Sequence, residues 1–192
     1  MCNASADDST WVSHELDVAL FPQNGEMQVT DRIILSREVT TSPEFLLSGN
    51  MDIEVSDGKL QLVSDSQESG LKKYRVLFPH PLREFTIKYN GTVSQNGVTD
   101  MSGMPSAYLD RDGVYLDNAS AWYPDFRQPI SEFVLDVMAP SDWEVVSQGK
   151  REDLSASTRW TSNKPQWEIY LVGGPFKRFV RDHGNMELSV YL

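Results

Sequence analysis

Chemistry in a chain of this size needs several reactive side chains at defined spacing, and few combinations here offer it. The histidines are His14, His80 and His183. They lie far apart in the chain, and none belongs to H-E-x-x-H, the helical pair that binds zinc beside a glutamate general base. His14 falls on an apolar strand face, His80 stands between prolines and His183 adjoins a Gly-Asn turn, so each reads as structural or solvated. Asp110, Asp112 and Asp117 around Gly113 bear a faint likeness to a calcium loop, because hard cations take several close oxygen ligands. The third carboxylate of that spacing and its terminal glutamate are absent, and Asp112-Gly113 between Tyr108-Leu109 and Val114-Tyr115-Leu116 predicts a hairpin turn instead. No G-x-S-x-G elbow or phosphate-cradling glycine loop occurs, and Gly173-Gly174-Pro175 reads as a turn between strands. A glycosidase would need two carboxylates roughly 5 to 10 Å apart across one cleft; among 28 Asp and Glu some pairing arises by chance. Trp11, Trp122, Trp143, Trp160 and Trp167 could stack on sugars or peptides, but each lies in or beside a candidate strand, where core packing is the default.

The elements that would position such groups are strands. From Trp11 onward short alternating segments are separated by turn residues, and no window sustains a 3.6-residue period. Val12, His14, Leu16, Val18 and Leu20 share one face of a first strand; after a turn over Phe21 to Gly25, Met27, Val29, Asp31, Ile33 and Leu35 share one face of a second. Further strands are expected at Glu44 to Leu47, Met51 to Val55, Lys59 to Ser64, Lys72 to Phe78 and Glu84 to Tyr89, the last ending at Asn90-Gly91. Later ones are Phe133 to Pro140, Trp143 to Gln148, Ser157 to Thr161, Trp167 to Val172, Phe176 to Asp182 and Met186 to Leu192. Strands this dense with no long helix predict an all-β fold, an antiparallel sandwich or saddle of several sheets. Residues 1–10 read as a flexible tether and 11–192 as a single β domain, in which the polar stretch Thr92 to Ser106 is a long loop suited to contacting a partner.

The 192 residues carry 28 acidic against 17 basic side chains, a formal charge of -11, which repels phosphate backbones and argues against nucleic acid as a partner. No apolar run reaches the roughly 18 residues of a membrane span. The single cysteine, Cys2, excludes an internal disulfide framework. Followed by the small polar run Asn3 to Ser9, it resembles the mature start of a bacterial lipoprotein, with Met1 standing where a signal was removed. On that reading Cys2 is lipidated, the protein sits in the cell envelope, and its only membrane contact is the lipid; the alternative is a frayed terminus with an incidental cysteine.

The order of segments is more specific than any one of them. His14-Glu15-Leu16-Asp17-Val18 with Asp31-Arg32-Ile33, Phe45-Leu46-Leu47, Phe85-Thr86-Ile87-Lys88-Tyr89-Asn90-Gly91, Gly113-Val114-Tyr115, the corner Trp122-Tyr123-Pro124 with Pro129, Phe133 to Pro140, Trp143 to Gly149, and Trp160-Thr161 through Gly174-Pro175-Phe176 follow in sequence. Together they resemble the N-terminal β domain of the aminopeptidase N (M1) family of gluzincin zinc metallopeptidases. The corner departs from the family's Ala-Arg-x-x-Phe-Pro-Cys-x-Asp-Glu-Pro: Ser120 and Ala121 stand in the arginine region, Asp125 replaces the cysteine and Arg127-Gln128 the acidic pair. The family's substrate-holding glutamine falls on Gly113. Trp122, Tyr123, Pro124 and Pro129 are therefore read as a structural corner, and no catalytic, cofactor-binding or metal-ligating residue is assigned.

The resemblance implies a non-catalytic domain that packs on the catalytic domain of its own chain and walls the peptide cleft, with zinc held only in that other domain. The 192 residues alone are expected to hydrolyse nothing. The alternative is a stand-alone envelope lipoprotein module that binds peptide or glycan. Exposed apolar surface where another domain would dock favours the first, a uniformly polar surface the second.

Overall fold

A computed structural model describes residues 11–39, 42–66, 69–93, 107–184 and 186–192. Cys2 with the expected tether, and 94–106 of the expected partner-contacting loop, lie outside the described residues. In chain order the strands are β1 (Val12–Phe21), β2 (Glu26–Val39), β3 (Glu44–Ser48), β4 (Met51–Val55), β5 (Lys59–Ser66), β6 (Leu71–Leu77), β7 (Leu82–Thr92), β8 (Ala107–Leu109), β9 (Val114–Leu116), β10 (Ile130–Met138), β11 (Glu144–Val146), β12 (Lys150–Asp153), β13 (Thr158–Ser162), β14 (Leu171–Gly174), β15 (Arg178–His183) and β16 (Met186–Tyr191). A single 3-10 turn, Asn118–Ser120, separates β9 from β10 among the described residues. The fold is all-β, as the alternation implied.

A seven-stranded sheet runs in the order β12-β13-β10-β1-β2-β7-β4. Beside it are a four-stranded sheet, β11-β14-β9-β8, a three-stranded sheet, β3-β6-β5, and the separate hairpin β15-β16. The β1 and β2 faces named from sequence are buried in register: Leu16 stands opposite Asp31 and His14 opposite Ile33. Phe85, Ile87 and Tyr89 of β7 and Phe133, Leu135 and Val137 of β10 extend that inner face. It packs against Phe45, Leu47, Tyr74 and Val76 of the three-stranded sheet and Leu109, Val114, Leu116, Val145 and Leu171 of the four-stranded one, in one continuous core. Burying thirty such apolar residues at about 25 cal/mol per Å² is the main force holding the sheets together.

Several expectations are corrected. The pairing is not wholly antiparallel: β1 and β10 run parallel from Val12↔Ile130 to Ala19↔Met138. One edge of β1 is taken by its hairpin partner β2, and a strand that returns more than a hundred residues later joins the other edge with no constraint from a tight turn. Asn90-Gly91 does not end β7, which continues to Thr92 between β2 and β4. A Cβ on Gly91 would lie 2.1 Å from the Asn50 carbonyl oxygen, so glycine there serves close backbone approach rather than a turn. Gly173 and Gly174 are paired residues of β14, not a turn. The polar edge strand β12, reading Lys-Arg-Glu-Asp, carries no apolar alternation and had no sequence signal.

The strand expected over Trp167 to Val172 begins only at Leu171. Gln148 explains this: its side-chain amide donates to the Glu168 carbonyl at 2.9 Å and its oxygen accepts from the Tyr170 N–H at 3.2 Å. A side chain thus satisfies the backbone that a neighbouring strand would otherwise pair.

Candidate functional site

The corner between β9 and β10 is where the three larger sheets meet. Asp117 caps the 3-10 turn, accepting from the Ser120 N–H at 3.2 Å, and Ala121 then takes a left-handed conformation with φ 44°. That reversal drives Trp122 and Tyr123 into the core, where they are 1% and 2% exposed. The Trp122 indole N–H donates to the Ile169 carbonyl at 3.0 Å. The Tyr123 hydroxyl donates to Asn118 Oδ1 at 3.1 Å and accepts from the Ile169 N–H at 3.2 Å. Both polar handles are satisfied, as buried Trp and Tyr require. Burial also pushes the Tyr123 phenol well above its ordinary pKa.

Backbone bonds tie the same corner to β3. The Ser48 N–H donates to Ala121 O at 2.9 Å, and Leu46 and Asp125 exchange two bonds of 2.9 Å. Asp125, in the family's cysteine position, also accepts from the Arg127 N–H at 2.8 Å and pairs with its guanidinium at 3.0 Å. Next to it the Phe126 ring stands 5.5 Å from Phe45, 6.3 Å from Phe85 and 6.2 Å from His14, centroid to centroid. One side chain thereby joins the three-stranded sheet to the seven-stranded one. Pro129 leads into β10, its carbonyl accepting from the Val12 N–H at 3.1 Å.

Beneath the corner lies a buried polar pair. His14 Nδ1 and Asp31 Oδ2 are 2.8 Å apart with both side chains essentially inaccessible, and Tyr123 meets the imidazole edge-on at 5.4 Å. Burial pushes the Asp31 carboxyl up from its ordinary range, and the neighbouring imidazole opposes that rise. Its second oxygen, Oδ1, and the Tyr89 hydroxyl have no hydrogen-bond partner among the described residues. The sequence placed both residues on apolar faces without linking them. The recoverable signal was the pairing of two strands that each interrupt their inner face with one titratable residue.

The other two histidines lie away from this pair. His80 is exposed, near the Pro81 carbonyl, and His183 is exposed on β15, so the three histidines occupy separate places. Asp110 turns the β8-β9 hairpin, its Oδ1 accepting from the N–H groups of Asp112 at 2.9 Å and Gly113 at 3.2 Å. Among the described residues no group of three or more His, Cys, Asp or Glu is placed to hold a metal ion. Of the tryptophans, Trp122 and Trp160 are core, Trp143 packs partly against it, and Trp167 departs from the core expectation at 75% exposed.

The outer face of the seven-stranded sheet carries a shallow depression of about 780 Å³, reached by Asp17, Thr30, Lys88 and Asp136. Asp17 and Asp136 are register partners, and burial followed by that neighbouring charge raises the Asp17 pKa. Asp136 is held by Arg159 in a two-point contact of 2.8 and 2.6 Å, one half of an ion pair. No helix among the described residues is long and apolar enough to cross a membrane.

No family model matches the sequence, and no curated protein matches it. Solved structures do match in fold. An aminopeptidase N family protein from Idiomarina loihiensis aligns over 94% of this chain and 32% of its own, at 13% identity and TM-score 0.59. An M1 zinc metallopeptidase from Deinococcus radiodurans, solved with a Tyr-Ser-Ala substrate, aligns over 95% and 47%, at 15% identity and 0.59. Leukotriene A4 hydrolase from Saccharomyces cerevisiae aligns over 93% and 30%, at 13% identity and 0.61. The chain spans 30 to 47% of the length of these proteins, and almost all of it has the fold of one part of an M1-type peptidase.

Proposed function

We propose that this chain is the non-catalytic N-terminal domain of a longer aminopeptidase-like zinc metallopeptidase, packing on the catalytic domain and walling one side of its peptide cleft. The supporting observation is the fold likeness just described: more than nine-tenths of this chain is accounted for by less than half of each matching peptidase. Three of the candidate acid–base groups are engaged within the fold. His14 pairs with Asp31, Asp110 holds a turn and Asp136 holds Arg159. The chain supplies a rigid wall: a corner bonded to β3, to Ile169 and to β1 cannot shift one sheet without the others. Such a wall excludes water and limits which peptides enter. Zinc and the hydrolytic chemistry belong to the other domain, and Cys2 is proposed to carry a lipid that tethers the protein to a bacterial envelope.

Aminoacyl reporter substrates test the assignment. The purified 192-residue chain is expected to release no amino acid with or without added zinc, whereas the parent polypeptide releases it and stops on chelation. Zinc-dependent turnover by the 192 residues alone overturns the assignment. Mass spectrometry of the native amino terminus checks the tether: a diacyl or triacyl adduct on Cys2 is expected, and an unmodified cysteine removes the envelope anchor.

A further inference from the structure

The hairpin β15-β16 has two unlike faces. Its register sets Arg178 opposite Tyr191, Phe179 opposite Val190, Arg181 opposite Leu188, and His183 opposite Met186. Phe179, Met186, Leu188 and Val190 therefore share one face, with Arg181 and His183 interleaved on it, since opposed residues of an antiparallel pair point the same way and alternate residues repeat it. All four are more than half exposed, and Leu192, whose backbone pairs with Lys177, continues the ladder at 75%. Both strands were expected from sequence; the structure leaves this face uncovered among the described residues.

The opposite face is clamped to the body. Arg178 donates to Asp153 at 3.1 Å and to Glu187 at 2.8 Å. Arg151 donates to the Tyr191 hydroxyl at 3.0 Å and to Glu144 at 2.6 Å, with its guanidinium 6.0 Å from the rings of both Trp160 and Tyr191. Ion pairs and cation–π contacts to β11, β12 and β13 thus hold the Arg178 and Tyr191 side against the body and turn the side that carries Phe179, Met186, Leu188 and Val190, with Arg181 and His183, outward. An isolated two-stranded hairpin is marginal in water, and an exposed apolar row such as Met186, Leu188 and Val190 along β16, with Phe179 beside it, marks a surface that something covers.

We propose that the Phe179, Met186, Leu188, Val190 face is the docking surface for the catalytic domain of the same polypeptide, and that Arg151 and Arg178 set the angle at which it is presented. This rests on the assignment above, because the occupant is the share of an M1-type peptidase, 53% of its length in the case with most overlap and 70% in the case with least, that this chain leaves unmatched (100 minus 47 and 100 minus 30). Charge favours that occupant over a second copy of a chain of net charge -11, which repels itself.

Amide hydrogen exchange of the parent polypeptide, compared with the 192-residue chain, tests it. In the parent, the amides of residues 178–191 are expected to exchange at least about tenfold more slowly, equivalent to about 1.4 kcal/mol of local protection. The combined replacement Phe179→Ser, Leu188→Ser and Val190→Ser should abolish that gain while leaving the melting temperature of the 192-residue chain unchanged. If the parent is slowed on another face and the hairpin is not, this docking surface is wrong and the domain assignment survives. A parent without any further domain removes both. Concentration-dependent protection of the hairpin in the 192-residue chain, unchanged in the parent, assigns the face to self-association and overturns the proposal.

Discussion

Trp122 and Tyr123 stabilise the molecule in two ways, through the apolar area they bury and through the bonds they give to and take from Ile169 and Asn118. Truncating either to alanine is expected to cost about 3 to 5 kcal/mol in urea unfolding. Tyr123→Phe keeps the ring and strands the Ile169 N–H, so it should cost about 1 to 3 kcal/mol; an unchanged midpoint in all three variants would place the corner at the surface. Asp31 adds a pH dependence whose sign is fixed by its raised pKa. Above the ordinary value of 3.8 the unfolded chain has already released this proton while the native state still holds it, so the native state binds more protons. Its contribution is full below that value and is lost as pH rises through the native one. The stability of wild type relative to Asp31→Asn should therefore fall with rising pH from about 4 upward; a flat difference would mean Asp31 is not shielded from water. At this scale the aromatic corner was legible because large side chains beside proline seldom lie outside a core. The His14–Asp31 pair was not, because alternation reports which face a residue occupies and not which neighbour it meets across the ladder.

At the scale of elements, strand positions followed from alternation wherever one face is apolar and failed where it is not. β12 is polar throughout, and the segment before β14 is held by Gln148 in place of a partner strand. Glycine was the more instructive failure. Asn90-Gly91 has turn chemistry, yet Gly91 lies inside β7 because Asn50 crosses too close for any side chain. Gly91→Ala is expected to destabilise by at least about 1 to 3 kcal/mol, the range for overpacking a tight site, and to speed amide exchange across Met51–Val55 more than in β1. Equal effects on both strands would show that the contact is not what holds β4 to the sheet. The hairpin β15-β16 marks a different limit: its alternation is real, but the sequence carries no sign of whether an apolar face meets its own chain or another body.

Over the whole molecule, the order of short segments carried more than their composition. Eight common pieces in sequence pointed to an M1-type β domain, and solved structures that include M1-type peptidases share the fold at 13 to 15% identity. The corner's polar positions have changed: Asp125 now braces Arg127, and Gly113 packs its backbone against Gly173. The likeness is one of fold, and activity is proposed to reside in a partner domain. The intact mass of the native polypeptide is the most direct test. The account predicts a protein well above 21.7 kDa whose sequence continues past Leu192 into a zinc peptidase domain bearing H-E-x-x-H. A native protein of about 21.7 kDa ending at Leu192 would contradict it.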